Sequence, residues 1–139
     1  FDRHFGTRVE FDRYSKKVVA VVLKMKRIYE QPSAEDGYRV LVDRLWPRGV
    51  AKTAAKIDYW AKEITPSTAL RKTFNHDAET FAAFRQAYLY ELETNRQGEA
   101  FLQLLREKLA TGPVTLLYAA KNEQMNHVVV LMEWIKKND

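Results

Sequence analysis

The sequence contains no cysteine. That excludes disulfides, cysteine-based zinc sites, thiolate nucleophiles and rhodanese-type sulfur transfer, and it accords with a reducing compartment. Long apolar runs are missing too. The longest is Val18–Leu23, far short of the ~20 residues that span a bilayer and of the roughly 7–15 in a signal-peptide core. A cytoplasmic protein with no membrane partner is the expectation. The glycine-rich dinucleotide fingerprint, the P-loop and the Gly-x-Ser-x-Gly elbow are all absent. His4, His76 and His127 are too scattered for metal-ligand spacing. No metal and no cofactor is therefore expected. Glu91 and Glu93 do not face each other on a helix and make a poor acid/base pair.

What is present is one domain's worth of chain. The 139 residues are 46% hydrophobic and 29% charged. A chain of this length buries about 68–70% of its unfolded surface and needs no staples. The net charge of +5 is unevenly placed. Residues 1–24 hold six basic and three acidic side chains, and residues 25–139 hold seventeen and fifteen. Within the latter, Gly37–His76 is +5 on its own, so the rest is −3. Nucleic-acid coats usually spread their charge over a face or tail. A compact surplus suits a local anion site, and the plainer alternative is a solvated basic face.

Three runs read as strands: Lys26–Glu30, Arg39–Trp46 and Val114–Ala120. The last two are nearly continuous in apolar residues, as strands covered on both faces are. Ile57, Trp60, Ala61 and Ile64 have helical spacing, which predicts a helix over 54–64. Ser67 caps a short helix through Phe74, and Asp77 caps the next. That helix carries an apolar stripe of Phe81, Phe84, Tyr88 and Leu92. A fourth helix, Glu99–Ala110, ends at Gly112 in the left-handed position. The last begins near Asn126 and buries Val128, Leu131, Met132 and Ile135. The expected fold is a small layered α/β domain of about three mainly parallel strands flanked by helices. A helical insertion separates strands two and three. Residues 1–24 read as an extension, either upstream of a start at Met25 or an added strand built on Val18–Leu23. Residues 25–139 read as the single α/β domain.

Three segments could carry chemistry. In Gly37–Gly49, Asp43, Arg44, Trp46 and Arg48 fall at or past a strand's carboxyl end, where open α/β sheets bind ligands. The arginines can grip a carboxylate or phosphate with two parallel hydrogen bonds, and Trp46 can supply a flat wall. Asp43 and Arg44 are sequence neighbours, so their side chains point apart and each needs another partner. In Ser67–Asp77, Ser67 and Arg71 lie one helical turn apart, a candidate anion cradle. His76 is a candidate base. In Tyr118–His127, Lys121 and His127 follow the third strand and approach Arg44 and Arg48 if strands two and three are parallel. Plain structural roles, as caps, turns and core, are open for every one of these.

The spaced motifs GYRVLVDRLWPRG, W-x-K-E-I-x-PST-x-LRK with His76-Asp77, GPVTLLYAAK and NHxVVL together resemble the domain of unknown function 488 family, the YeaO-like bacterial proteins. The resemblance runs from about Met25 to about Lys136. It implies a compact α/β domain, bacterial and cytoplasmic, and it leaves the reaction open. Related proteins carry regulator or methyltransferase labels, but no winged-helix pattern or glycine-rich methyl-donor loop is present here. Thr73, Asn75, Ala78 and Gln124-Met125 depart from the family pattern. If the small Thr73, in place of an aromatic, opens the pocket, substrate preference differs from that of relatives.

The first functional expectation is an anion pocket for phosphate or carboxylate at the strand ends. Arg44, Trp46, Arg48, Ser67, Arg71 and Lys121 hold the ligand, and Asp43, His76 and His127 orient it or move a proton. Hydrolase or transferase chemistry without a thiol stays open. A nucleic-acid-binding module and a non-catalytic protein-interaction domain are the alternatives. Oligomeric state is not legible.

Overall fold

The computed structural model describes residues 4–11, 18–75 and 77–138. The described residues form a five-stranded sheet with five α-helices and two short 3-10 turns. The strands are β1 (His4–Phe11), β2 (Val18–Arg27), β3 (Tyr38–Leu41), β4 (Tyr59–Trp60) and β5 (Val114–Tyr118). The helices are α1 (Lys52–Ala55), α2 (Thr68–Arg71), α3 (Ala78–Thr94), α4 (Gly98–Leu109) and α5 (His127–Lys137). The sheet order is β1-β2-β5-β3-β4. β1 pairs antiparallel with β2, and the other pairings are parallel. Among the described residues no helix is long and apolar enough to cross a membrane.

Alternation along β3 and β5 divides the interior in two. Val40, Val42, Leu116 and Tyr118 face a large cluster built with α3, α4 and α5. Leu41 and Leu117 face the other way, into a smaller cluster with Ile28 and Ala55, closed by Trp46, Ile57 and Trp60. The same outward face of β3 carries Arg39. Its Nη1 donates to Asp36 Oδ2 at 2.5 Å and its Nη2 to the Ala55 carbonyl at 2.8 Å. Lys26 donates to the other Asp36 oxygen at 3.0 Å. Burial pushes the Asp36 carboxyl up. The Ser33 N–H and the Lys26 and Arg39 cations outweigh that and hold it below its ordinary value.

Several expected boundaries move. The helix expected over 54–64 does not form. α1 stops at Ala55, and Lys56 turns left-handed (φ 51°). The chain then pairs as β4, Val40 opposite Tyr59 and Leu41 opposite Trp60. The helical spacing arises because the four apolar residues serve different layers: Ile57 and Trp60 close the small cluster, while Ala61 and Ile64 enter the large one. The first expected strand lies earlier, as β2, because the chain turns after Arg27. Its N–H donates to the Glu30 carboxylate, and Glu30 N–H returns to the Arg27 carbonyl. Val18–Leu23 is part of β2. The second and third strands are shorter than expected, Tyr38–Leu41 and Val114–Tyr118. Gly112 is not left-handed. The turn after α4 stays right-handed through Ala110, and the N–H groups of Thr111 and Gly112 both reach the Lys108 carbonyl. The caps at Ser67, Asp77 and Asn126 are present as expected.

Candidate functional site

A cleft of about 540 Å³ opens where the parallel strands β3 and β5 end. Its first wall is the segment after β3. Val42 N–H still donates to the Leu117 carbonyl, but one residue later the ladder changes character. The Asp43 carboxylate, through Oδ2, accepts the Ala119 N–H at 2.9 Å, a place a main-chain carbonyl would take in a continuing strand. The strands therefore part there, and the carboxylate bridges the gap. The Asp43 carbonyl in turn accepts the Trp60 indole N–H at 2.7 Å.

The second wall is the turn into α5. Asn122 Oδ1 accepts the N–H groups of Gln124 and Met125, and the buried Asn126 caps the helix through Val129 N–H. This places His127 in the first helical turn with its ring facing β3. His127 Nε2 lies 2.7 Å from the Val42 carbonyl oxygen and 3.3 Å from Asp43 Oδ1. Arg27 braces the same turn from β2, donating to the carbonyls of Ala119 and Ala120 at 3.0 and 2.9 Å.

The third wall comes from Pro66, Thr68, Arg71, Lys72 and Phe74, with Phe84 later in the sequence. Arg44 Nε donates to the Pro66 carbonyl at 3.2 Å. Arg71 and Lys72 lie exposed on this wall at the end of α2, and Phe74 and Phe84 stack beneath them at 4.8 Å. Arg48 is exposed on the opposite loop, where Gly49 turns with φ 78°. Its carbonyl accepts the Tyr29 hydroxyl at 3.1 Å. Trp46 is half-buried, edge-on to Trp60 at 5.3 Å, with its indole N–H on the Val50 carbonyl.

The structure thus brings Asp43, Arg44, Trp46, Arg48, Arg71 and His127 to one cleft. Asp43 and Arg44 do point apart, each to its own partner. Ser67 and Lys121 are not on its walls. The expected anion cradle at Ser67 is already filled by the protein's own carboxylate. Glu91 accepts Ser67 N–H at 2.9 Å and Ser67 O–H at 2.6 Å. Lys121 is exposed in the turn beyond the cleft. His76 lies outside the described residues. Thr73 does not widen the cleft either. It is exposed, with its hydroxyl donating back to the Leu70 carbonyl.

Sequence reasoning missed Tyr29 and Leu45, both large, exposed and on the cleft. Reading the first strand through Glu30 hid Tyr29, which lies in the turn after β2. Leu45 carries no polar signal at all. Among the described residues no group of three His, Asp or Glu side chains is placed to hold a metal.

The electrostatic balance of the cleft is one-sided. Arg44, Arg48, Arg71 and Lys72 line it, and the one carboxylate there, Asp43, is already engaged. Among the described residues these four cations have no ion-pair partner.

Comparison with known proteins adds relatives. The family described as "Inactive DUF488-N3 subclade" matches residues 22–138. The uncharacterized protein YeaO of Escherichia coli (strain K12) is 46% identical over 115 residues, covering 82% of this chain and 96% of that protein. The uncharacterized protein Mb3100c of Mycobacterium bovis is 34% identical over 111 residues, covering 80% of this chain and 91% of the relative. The uncharacterized protein Rv3073c of Mycobacterium tuberculosis (strain H37Rv) matches to the same extent. No solved structure matches the chain.

Proposed function

This chain belongs to the DUF488 family, and on that footing we propose that its cleft binds a small oxyanion, phosphate before carboxylate, without turning it over. One observation carries the reading. Four cations that have no ion-pair partner among the described residues converge on a cleft whose one described carboxylate is already engaged. Among the described residues, an anion entering there meets donors of which the fold engages only Arg44 Nε, on the Pro66 carbonyl. Guanidinium groups at a strand end suit bidentate recognition of phosphate or carboxylate oxygens.

The description of the matching subclade as inactive supports binding over turnover. So does His127, which has one ring nitrogen committed to the Val42 carbonyl and to Asp43. In this reading Asp43 and His127 are a strut between β3 and α5 that keeps Arg44 and Arg48 at the cleft. Hydrolase or transferase chemistry is the second reading of the same groups.

A thermal-shift panel tests this. Phosphate, sulfate, small carboxylates and a short duplex DNA are compared at two salt concentrations. A ligand at 100 times its dissociation constant adds about 2.7 kcal/mol to the folded state. The expected result is stabilisation by phosphate or sulfate that survives moderate salt and is lost in Arg48→Ala and Arg71→Ala. Stabilisation by DNA alone, falling steeply with salt, replaces this reading with nucleic-acid binding. Affinities untouched by both substitutions reject the cleft.

A further inference from the structure

Resting on the anion-site reading and deepening it, we infer that the cleft takes a phosphate monoester whose carrier also presents a flat aromatic ring, the chemistry of a mononucleotide. Charge points to the monoester. A phosphate monoester carries about −1.5 to −2 at neutral pH, whereas a carboxylate or an internal phosphodiester carries a single charge. Four cations facing one engaged carboxylate match the larger charge.

The aromatic residues point to the ring. Two of them flank Arg48 and line the same cleft. Tyr29 is 50% exposed yet held at both ends. The Arg27 guanidinium lies 5.1 Å from its ring centroid, and its hydroxyl donates to the Arg48 carbonyl. Trp46 is fixed by its indole hydrogen bond to Val50 and by the edge of Trp60. Exposed rings normally retain freedom that binding must quench. These two are already placed, so stacking on them costs little ordering. Each ring has a cation over one face, Arg27 on Tyr29 and Lys52 on Trp46 at 6.0 Å, and among the described residues neither has a stacked aromatic neighbour. The ring subsite and the phosphate subsite are therefore adjacent by construction: the Tyr29 hydroxyl touches the main chain of the residue that carries the Arg48 cation. The cleft of about 540 Å³ holds one such ligand. A free mononucleotide and the phosphorylated end of a strand share this chemistry.

Titration calorimetry on the full chain separates the possibilities. The probes are AMP, ribose 5-phosphate, inorganic phosphate, adenosine and a 5′-phosphorylated trinucleotide. Stacking predicts AMP binding about tenfold or more tighter than ribose 5-phosphate, with adenosine weaker than both. Tyr29→Ala should remove most of the AMP advantage over ribose 5-phosphate. Tyr29→Phe should keep most of the AMP advantage. Arg48→Ala should weaken both phosphates alike. Binding of AMP or of the trinucleotide tighter than ribose 5-phosphate supports the inference, and the tighter of the two names the source. Equal affinity for AMP and ribose 5-phosphate overturns the ring subsite and leaves the anion site standing. If none of the phosphates binds, both readings fall.

Discussion

His127 Nε2 stands between two acceptors, 3.3 Å from Asp43 Oδ1 and 2.7 Å from the Val42 carbonyl oxygen. Neither neighbour can donate to it, so that nitrogen carries a hydrogen. In the neutral ring, Nδ1 is then the bare nitrogen. Nitrogen-15 NMR of the imidazole should find the Nε2–H tautomer for neutral His127. Finding Nδ1–H would mean that the ring does not bridge β3 and α5.

Asp43 also satisfies the Ala119 N–H. Asp43→Ala strands that donor in a half-buried place, at a cost of about 1–3 kcal/mol. Asp43→Asn keeps a carbonyl oxygen for Ala119 and should cost less. Urea unfolding of both variants checks the ordering. Equal losses would show that Ala119 gains nothing from the Asp43 side chain.

On the far side of the sheet, Arg39 and Asp36 are both buried, with side chains 5% and 4% exposed. Replacing Arg39 by Met leaves the Asp36 carboxylate with Lys26 and the Ser33 N–H and frees the Ala55 carbonyl. The expected loss is about 3–5 kcal/mol, the usual result of breaking a buried pair from one side. A loss under about 1 kcal/mol, the range of an exposed pair, would contradict this account of the cluster.

The same pair sets a pH dependence. Asp36 titrates below its ordinary value of 3.8 when folded. The unfolded chain therefore takes up that proton first as pH falls. The stabilisation is complete above the unfolded value and is lost as pH drops through the lower, folded one. Melting temperature should fall on the acid side of about pH 4, the range of the unfolded carboxyl. Asp36→Asn should flatten that limb while lowering stability at neutral pH. An unchanged acid limb in the variant would assign acid sensitivity to other carboxylates.

Local patterns were legible in the sequence where one residue serves one layer. The stripe of Phe84, Tyr88 and Leu92 lies on the large cluster as its spacing predicts, and Ser67, Asp77 and Asn126 cap the helices they precede. The pattern misled where neighbouring residues serve opposite layers, as Trp60 and Ala61 do. The strand ends identified Asp43, Arg44, Arg48 and His127 as candidates, and the parallel pairing of β3 with β5 brings them to one place. Two facts depended on distance in sequence and could not be read locally. Glu91 fills the cradle at Ser67 from 24 residues away. Tyr29 reaches Arg48 across 19.

The proposed oxyanion sits among Arg44, Arg48 and Arg71. The most direct measurement follows the side-chain NMR signals of these arginines and of His127 while inorganic phosphate is added to the full chain at constant ionic strength. The account predicts saturable shifts confined to the cleft, abolished in Arg48→Ala. Shifts that do not saturate, or that spread evenly over exposed lysines and arginines, would contradict it.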